Sequence, residues 1–483
     1  MKPQRILIFI LTITSMLLML MFISKEHDRG GGITEDGFMV FGSLIKYPTV
    51  SSFFGFKEEE VINTKADSIV AEVIKILPDS NTRKFPDFSD LDTSEVVHIL
   101  YPNNKSSFIE NLHQKLNSSH CRILHYGDSQ IEGDRMSGYI RNRLQGIYGG
   151  GGPGFIPIVQ VYEHLAIRVS AIGNWSRYAA FDPTQRLQKH KEYGIYDSYS
   201  RFTQPYNGLS DSNQMANKTP SKASIEISPD RRAYERLQRY SNIKLHYGNS
   251  HHAVSYRVIS DGEVIKEGAL NSNGLYHSLE IVLNSTPSKL VIELEGVVSP
   301  DFYGLTIDGL GGVSLDNIAM RGCSGTVFSN MNGQVFASMG RDLTPDIIIF
   351  QYGGNTIPYV KDSTQVSDYV RGLMRHINWV KKQLPGVQVF FIGPSDMSTR
   401  IGGEMRTYPL LPYMDKMLSE ANLSIGNAYW SMYKAMGGSG SMPEWVKQGL
   451  AGDDYTHFSP KGTGVISELF FTALSLDLVK RKK

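Results

Sequence analysis

The segment Gly127-Asp128-Ser129 places a serine directly after an apolar run and before residues with helical spacing. A serine at the start of a helix lies beside unpaired backbone N–H groups and the positive end of the helix dipole. That environment favours an attacking alkoxide, and the N–H of Ser129 itself is a candidate oxyanion donor. The alternative is structural, because serine is also a common N-cap residue. Which role applies depends on whether the chain supplies a base.

The sequence Asp454-Tyr455-Thr456-His457, near the C-terminus, offers such a base. The spacing of three residues lets the Asp454 carboxylate fold back onto the imidazole of His457. One ring nitrogen can then accept the serine proton while the carboxylate stabilises the imidazolium. Asp453 is the neighbouring acid, and only the spacing favours Asp454. A surface turn that pairs an aspartate with a histidine is the alternative.

Two further residues could donate hydrogen bonds to an oxyanion. Gly325 would do so through its backbone N–H and Asn355 through its side-chain amide, and both follow apparent strands. Taken singly, Gly325 also fits a turn and Asn355 a helix cap. Together with the N–H of Ser129 they form the predicted oxyanion hole.

The elements that must position these residues are predicted by apolar runs. Strands are expected near Ile123 to Tyr126, Asp346 to Tyr352 and Val387 to Ile392, and helices over Ser107 to Leu116 and Ser363 to Gln383. Runs of Ile, Val and Phe without alternation suit strands that are buried on both faces of a parallel sheet. The sequence therefore predicts an α/β core with its active site at the carboxyl ends of the strands.

Residues 156–305 follow a different pattern, in which short alternating stretches are separated by turn signals. This pattern predicts an inserted β-sandwich, with Asp261-Gly262 as a hairpin turn. The stretches that carry the prediction are Ile243 to Tyr247, Val254 to Ile259, Tyr276 to Leu283 and Leu290 to Leu294.

The N-terminus bears on location. Lys2 and Arg5 precede Ile6 to Ser24, an uncharged 19-residue stretch. That length is near the ~20 residues of a membrane span, and no small-residue cleavage site follows. We expect an uncleaved signal anchor that leaves the chain after Lys25 outside the cytoplasm, with a cleaved signal as the alternative. Helical spacing also predicts a helix over residues 61–75.

The charge balance restricts the possible partners. The chain has 49 basic and 48 acidic residues, a formal net charge of +1, and no long basic run. No global field attracts a polyanion, so nucleic acid is not an expected partner. With 41% hydrophobic residues, the composition is that of a folded protein.

Four blocks occur in a fixed order, each at a predicted strand end, and this set resembles the SGNH/GDSL hydrolase superfamily. The blocks are Gly127-Asp128-Ser129, Gly325, Gly353-Gly354-Asn355 and Asp454 to His457. The extended segment His125 to Asp134 and residues 393–398 look most like exported members related to peptidoglycan O-acetylesterases. Those members carry a carbohydrate-binding-module-like jelly roll inserted between the first two blocks. Thr356 stands where many members have aspartate, which leaves the oxyanion role of Asn355 untouched.

The resemblance implies a flavodoxin-like three-layer α/β/α fold. The expected domains are a signal anchor (1–25), a linker with N-terminal helices (26–120), a discontinuous hydrolase domain (121–155 and 306–483) and the inserted β-sandwich (156–305). The implied function is an extracytoplasmic, periplasmic or cell-surface serine esterase that removes O-acetyl groups from peptidoglycan or another glycan. It needs no metal or cofactor. The alternatives are an O-acetyltransferase working with a membrane O-acyltransferase, and a catalytically idle glycan-binding protein.

The implied fold also places the two cysteines apart. Cys121 would begin the first strand and Cys323 would follow the second, so roughly 16 Å of strand separates them, beyond the ~7 Å that a disulfide spans. We predict two free thiols. Other residues are expected to be structural, although His251-His252 could bind a metal, His125 could line the pocket and Trp445 could stack on a sugar. Those expected in the core, in packing contacts or in the cleft wall are His125, His376, Tyr352, Met397 and Trp445.

Overall fold

The computed structural model describes residues 96–185, 187–204 and 219–479, three strands between residues 33 and 46, and residues 9, 12, 13, 15, 16, 85, 86 and 88. Most of the predicted anchor, and all of the predicted helix over 61–75, lie outside the described residues. The chain divides into two compact units, residues 1–62 with 400–405, and residues 63–399 with 406–483. Three antiparallel strands form a sheet in the first unit.

The strands, numbered in chain order, are β1 (Ile33–Thr34), β2 (Gly37–Val40), β3 (Ser43–Lys46), β4 (His120–Gly127), β5 (Gly154–Ile156), β6 (Ile167–Ile172), β7 (Ser176–Ala179), β8 (Ser198–Arg201), β9 (Ser221–Pro229), β10 (Asn242–Gly248), β11 (Val254–Ser260), β12 (Glu263–Ala269), β13 (His277–Val282), β14 (Leu290–Gly296), β15 (Asp301–Asp308), β16 (Gly312–Ala319), β17 (Pro345–Gln351), β18 (Gln388–Ile392), β19 (Ser398–Ile401), β20 (Glu404–Thr407) and β21 (Ala428–Trp430). The α-helices are α1 (Lys105–Leu116), α2 (Arg135–Tyr148), α3 (Gly333–Leu343), α4 (Ser363–Gln383), α5 (Leu411–Ser424), α6 (Met432–Ala435), α7 (Ser441–Lys447) and α8 (Pro460–Val479).

A parallel five-stranded sheet forms the centre of the second unit. Its strand order is β16-β4-β17-β18-β21, and all four pairings are parallel. This is the flavodoxin-like order, in which the first strand of the sheet lies between the second and the third. The predicted α/β class with a parallel sheet is confirmed.

The sheet is buried on both faces, and β4 illustrates the reason for its apolar sequence. Cys121 and Ile123 face a core cluster that includes side chains of α1, α2 and α8. Leu124 and Tyr126 face a second cluster that includes side chains of α3, α4 and α5. Because successive residues of a strand point to opposite faces, both sets must be apolar, and no alternation results.

Two antiparallel sheets lie in the segment between β4 and β16. One has the order β13-β10-β15-β8-β7, with β5 also pairing with β15, and the other has the order β12-β11-β14-β9-β6. Ile243 and Leu305 of the first sheet share one apolar cluster with Ile225 and Ile292 of the second. The strands run from residue 154 to residue 308, and the domain boundaries at 156 and 305 stay a prediction.

The turn between β11 and β12 follows the prediction. Asp261 and Gly262 both have positive φ, at 48° and 95°. A two-residue hairpin of this kind requires left-handed backbone at both central positions, which Asp-Gly adopts readily.

Two other sequence features can be compared with the fold. Cys121 and Cys323 are both buried and free, as predicted. Among the described residues one helix, α8, is long and apolar enough to cross a membrane, but 89% of its apolar window is buried inside the fold.

Candidate active site

Ser129 lies at the carboxyl end of β4, near the centre of the parallel sheet. The residue before it, Asp128, caps a short 3-10 helix (Ser129–Asp134), and its Oδ1 accepts the N–H of Gln130 at 3.0 Å. The α-helix starts only at Arg135. The helix predicted directly after Ser129 therefore begins as a 3-10 helix, and its α-helical part starts six residues later.

The backbone explains the late start of this helix. Gly133 and Asp134 have φ values of 67° and 70°, so the chain turns through two left-handed residues before α2 begins. Asp134 is not a glycine, and it is held in this conformation by Arg141, whose guanidinium donates to both carboxylate oxygens at 2.6 and 2.9 Å. Such strain persists only where surrounding contacts fix it.

His457 and Asp454 meet in the tight turn that the spacing predicts. Asp454 Oδ1 accepts the N–H groups of Thr456 and His457, each at 3.0 Å, and Oδ2 lies 2.7 Å from His457 Nδ1. The other ring nitrogen, Nε2, lies 2.8 Å from Ser129 Oγ. The three residues thus form a continuous series of hydrogen bonds, Asp454–His457–Ser129, although Ser129 and His457 are 328 residues apart in the sequence.

This chain of three residues lies near the surface. The side chains of His457 and Asp454 are 38% and 54% exposed. Partial burial acts to raise the pKa of Asp454, but hydrogen bonds from His457 and Thr456 outweigh it, so this pKa lies below its usual range. Asp454 is therefore ionised at neutral pH and can orient the imidazole.

The two predicted oxyanion donors, Asn355 and Gly325, already make hydrogen bonds within the fold. Asn355 Nδ2 donates to Asp128 Oδ2 at 3.0 Å and to the carbonyl of Cys323 at 3.1 Å. The N–H of Gly325 donates to Cys323 Sγ at 3.3 Å, and sulfur is a weak acceptor. Asn355 thus borders the nucleophile loop through Asp128, whereas Gly325 contacts Cys323, and an oxyanion would have to replace an acceptor that each donor already has.

Gly325 is also required by space. A Cβ at this position would lie 2.7 Å from the ring of Tyr352, and the φ of 79° is left-handed. A glycine therefore lets the loop approach the aromatic ring at the end of β17.

Asp128 and Gln130 are two site residues whose roles sequence reasoning did not identify, although both lie beside Ser129. Burial raises the pKa of Asp128 to about 6, against the hydrogen bond from the Gln130 N–H. The side chain of Gln130 donates to the carbonyl of Thr456 at 2.6 Å. Because Thr456 precedes His457, this bond joins the nucleophile loop to the histidine loop. In the sequence, only their position next to Ser129 indicates a role for Asp128 and Gln130, because their partners Asn355 and Thr456 lie in distant segments of the chain.

The other residues considered from sequence take structural positions. His125 is fully buried, with its Nδ1 at 2.9 Å from Ser137 Oγ and its Nε2 at 3.2 Å from Gln351 Oε1. His376 accepts a hydrogen bond from the N–H of Ser329. Trp445 is fully buried and packs against Phe458, so it belongs to the core and offers no face to a sugar. Tyr352 and Met397 line a cavity of about 30 Å³ beside Ser129 and Asn355.

The fold can be compared with known proteins. The structure of a peptidoglycan O-acetylesterase is similar to this chain, with 19% sequence identity, a TM-score of 0.60, and coverage of 80% of this chain and 99% of that one. At this identity the likeness establishes a shared fold, which is the fold that the resemblance to SGNH/GDSL hydrolases predicts.

Two further structures have much lower similarity. A family two carbohydrate esterase from Clostridium thermocellum in complex with cellohexaose has 10% identity and a TM-score of 0.23, over 62% of this chain and 97% of that one. A carbohydrate esterase family 2 enzyme from Corynascus thermopiles (Myceliophthora fergusii) has 14% identity and a TM-score of 0.25, over 54% and 95%. Scores this low do not establish a common fold. No family model and no curated protein matches the chain.

Proposed function

We propose that this protein is a serine esterase that removes O-acyl groups, in particular acetyl, from a glycan. The observation that carries the proposal is the hydrogen-bonded chain Asp454–His457–Ser129 at the carboxyl end of the parallel sheet. Nucleophile, base and orienting carboxylate in this order are the requirements for acyl transfer through a covalent intermediate. The glycan and the acetyl group rest on the fold shared with the peptidoglycan O-acetylesterase.

The mechanism follows from the positions of the atoms. Ser129 Oγ attacks the ester carbonyl while His457 Nε2 accepts its proton, and the imidazolium is stabilised by Asp454. The carbonyl oxygen becomes an oxyanion, for which Asn355 and Gly325 are the proposed donors. His457 then protonates the leaving sugar oxygen. In the second half, water attacks the acyl-enzyme with His457 again as base, and acetate leaves.

The exposure of the site supports a large substrate. The His457 side chain is 38% exposed, and the cavity beside Ser129 is only about 30 Å³. A small acyl group fits such a cavity, while the rest of a polymer can remain in solvent. We further propose that the two antiparallel sheets form the predicted inserted β-sandwich over 156–305.

The proposed location is extracytoplasmic, with residues 6–24 as a membrane anchor. Its support is the uncharged length of the stretch after Lys2 and Arg5. Fractionation of cells that express the full chain, followed by protease treatment from outside the cytoplasmic membrane, tests this location. Recovery of the intact protein in the cytosol contradicts it.

The test of function uses the purified full-length chain with p-nitrophenyl acetate, in the presence and absence of an oligosaccharide acceptor. We expect acetate release, and a loss of at least about 10³-fold in kcat for Ser129→Ala, because Ser129 is the hydroxyl that is hydrogen-bonded to His457 in the described part of the chain. Ser367→Ala, a partly exposed serine in helix α4, is the matched control.

Three outcomes separate the alternatives. Acetate release that needs Ser129 supports the esterase. Acetyl transfer to the oligosaccharide supports the transferase that would work with a membrane O-acyltransferase. Absence of both reactions, or activity that survives Ser129→Ala, contradicts the proposal and leaves a glycan-binding role.

A further inference from the structure

A second cavity lies beside the proposed active site, between α2, the loops of the inserted segment and the first turn of α8. We call it the α2–α8 cavity. It has a volume of about 420 Å³, within the range of ligand-binding cavities. Its wall is more apolar than polar, although Asp134, Arg135 and Arg232 also line it. The residues used below are Arg135, Tyr139, Leu165, Tyr234, Pro460 and Gly464.

The wall of this cavity is connected to the reacting residues at three points. Arg135 donates from Nη2 to the carbonyl of Ser129. Leu165 donates its N–H to the carbonyl of Gly133, in the nucleophile loop, at 3.2 Å. Pro460, also in the wall, begins α8 three residues after His457. The cavity therefore adjoins both the nucleophile loop and the histidine loop.

Its position corresponds to the alcohol side of an ester. In the proposed mechanism His457 Nε2 protonates the leaving oxygen, so the alcohol must lie beside His457. The acyl side is elsewhere, because Asn355 and Tyr352 line the small cavity and neither contributes to the wall of the α2–α8 cavity. Neither Ser129 nor His457 lines the larger cavity, so a group in it would belong to a part of the leaving alcohol beyond the esterified oxygen.

The lining suits a sugar ring. Tyr139 and Tyr234 meet edge to face, with ring centroids 6.4 Å apart, and present aromatic surface for the apolar face of a ring.

We propose that the α2–α8 cavity is the binding subsite for a sugar residue on the alcohol side of the scissile ester. This inference rests on the proposed esterase function. It assigns recognition of the glycan to α2, α8 and the inserted segment, and recognition of the acyl group to the small cavity at the strand ends.

Gly464 allows the cavity to be filled without disturbing the helix. A Cβ at Gly464 meets no atom within 4 Å, so Gly464→Leu extends into open space in the cavity wall. Gly372→Leu in α4 is the matched control, because a Cβ there first meets Arg375 Nη2 at 3.8 Å. Both glycines lie inside α-helices.

The measurement compares acetate release from p-nitrophenyl acetate with that from O-acetylated chitotriose, xylotriose and cellotriose, taking the oligosaccharide that the wild type hydrolyses fastest. For Gly464→Leu we expect the loss of kcat/KM on the oligosaccharide to exceed the loss on p-nitrophenyl acetate by at least about tenfold, through KM. Gly372→Leu should change the ratio less than twofold. Equal losses on both substrates overturn the proposal.

The proposal can be separated from the proposed function. If the wild type does not hydrolyse p-nitrophenyl acetate, the esterase function fails, and binding of the three unmodified trisaccharides is measured by saturation-transfer NMR. Binding that is lost in Gly464→Leu and kept in Gly372→Leu supports a sugar site in the cavity. Binding that survives Gly464→Leu, or no binding to the wild type, overturns it.

Discussion

Asp128 is hydrogen-bonded through its carboxylate to Asn355, the proposed oxyanion donor, and this contact fixes the orientation of the Asn355 side chain. One oxygen accepts the N–H of Gln130 and the other accepts Nδ2 of Asn355. Both oxygens therefore face N–H donors. The carboxylate of Asp128 offers one acceptor oxygen to each donor. The side-chain amide of an asparagine at this position would offer only one acceptor atom.

The variant Asp128→Asn tests this role. One of the two contacts would become donor against donor, so Asn355 should turn away from the position in which it serves the oxyanion. We expect kcat on p-nitrophenyl acetate to fall about 10- to 100-fold with little change in KM, less than the ~10²–10³-fold cost of deleting a donor.

Asn355→Ala provides the comparison. Because both substitutions act on the same donor, the double variant should lose little more than Asn355→Ala alone. Additive losses in activation free energy would contradict the proposed link between Asp128 and Asn355.

At the scale of elements, the site is assembled from loops that follow β4, β16 and β17 and from the turn before α8. Parallel strands bring their carboxyl ends to one edge, which explains how Ser129 and Asn355 line the same small cavity. The histidine turn has no strand of its own in this sheet. It is held against the nucleophile loop by the bond from Gln130 to the carbonyl of Thr456.

Loss of the hydrogen bond from Gln130 to the carbonyl of Thr456 should lower the catalytic rate more than it lowers the stability of the fold. For Gln130→Ala we expect kcat to fall about 10- to 100-fold, because a shift of about 1 Å between nucleophile and base has an effect of that size. Gln388→Ala is the control, since Gln388 donates similarly to the carbonyl of Phe108, outside the candidate site. Equal activity of the two variants would contradict a positioning role for Gln130.

Helix α8 carries a buried acid whose titration should be visible in stability. Glu468 accepts hydrogen bonds from Tyr139 (2.6 Å) and Arg143 (3.3 Å). Burial raises its pKa to about 7, although Arg143 acts in the opposite direction. The native state therefore binds this proton more tightly than the unfolded state, so the contribution of Glu468 to stability is lost as the pH rises from about 4.5 to about 7.

The prediction is a smaller pH dependence in Glu468→Gln. Between about pH 5 and pH 8 the contribution of Glu468 should lower the free energy of unfolding of the wild type, measured with urea, by at most about 3 kcal/mol. The Glu468→Gln variant should not show this decrease. Glu420→Gln, in the exposed part of α5, serves as the control. The same pH dependence in wild type and Glu468→Gln would show that Glu468 does not titrate in this range.

At the scale of the whole molecule, the fold isolates its two thiols. Cys121 lies on β4 and Cys323 follows β16, and both side chains are buried. Burial raises the pKa of each thiol to about 12. The reactive thiolate is therefore scarce at neutral pH.

We expect neither thiol to react with Ellman's reagent at about pH 8 in the folded protein, and both to react in concentrated guanidinium chloride. The mass of the intact protein measured without reductant should equal that of the fully reduced chain. A mass lower by two hydrogens would reveal a disulfide and contradict the fold, which keeps the two residues in different parts of the sheet.

Local sequence patterns determined many of the strands and turns of this protein. The uninterrupted apolar runs specified parallel strands because both faces of such a sheet are buried, and the spacing from Asp454 to His457 specified their contact because a turn of that length closes on itself. Asp261-Gly262 specified a hairpin turn for the same local reason.

Only the tertiary structure decided which distant groups meet. The bond from Gln130 to Thr456 and the contact of Asp128 with Asn355 join segments hundreds of residues apart, and no local rule ranks such pairs. The late start of α2 depends on the contact of Arg141 with Asp134, which holds a left-handed turn where the helical spacing after Ser129 predicts a continuous helix. The α2–α8 cavity is likewise a gap between packed elements, and a gap has no sequence pattern of its own.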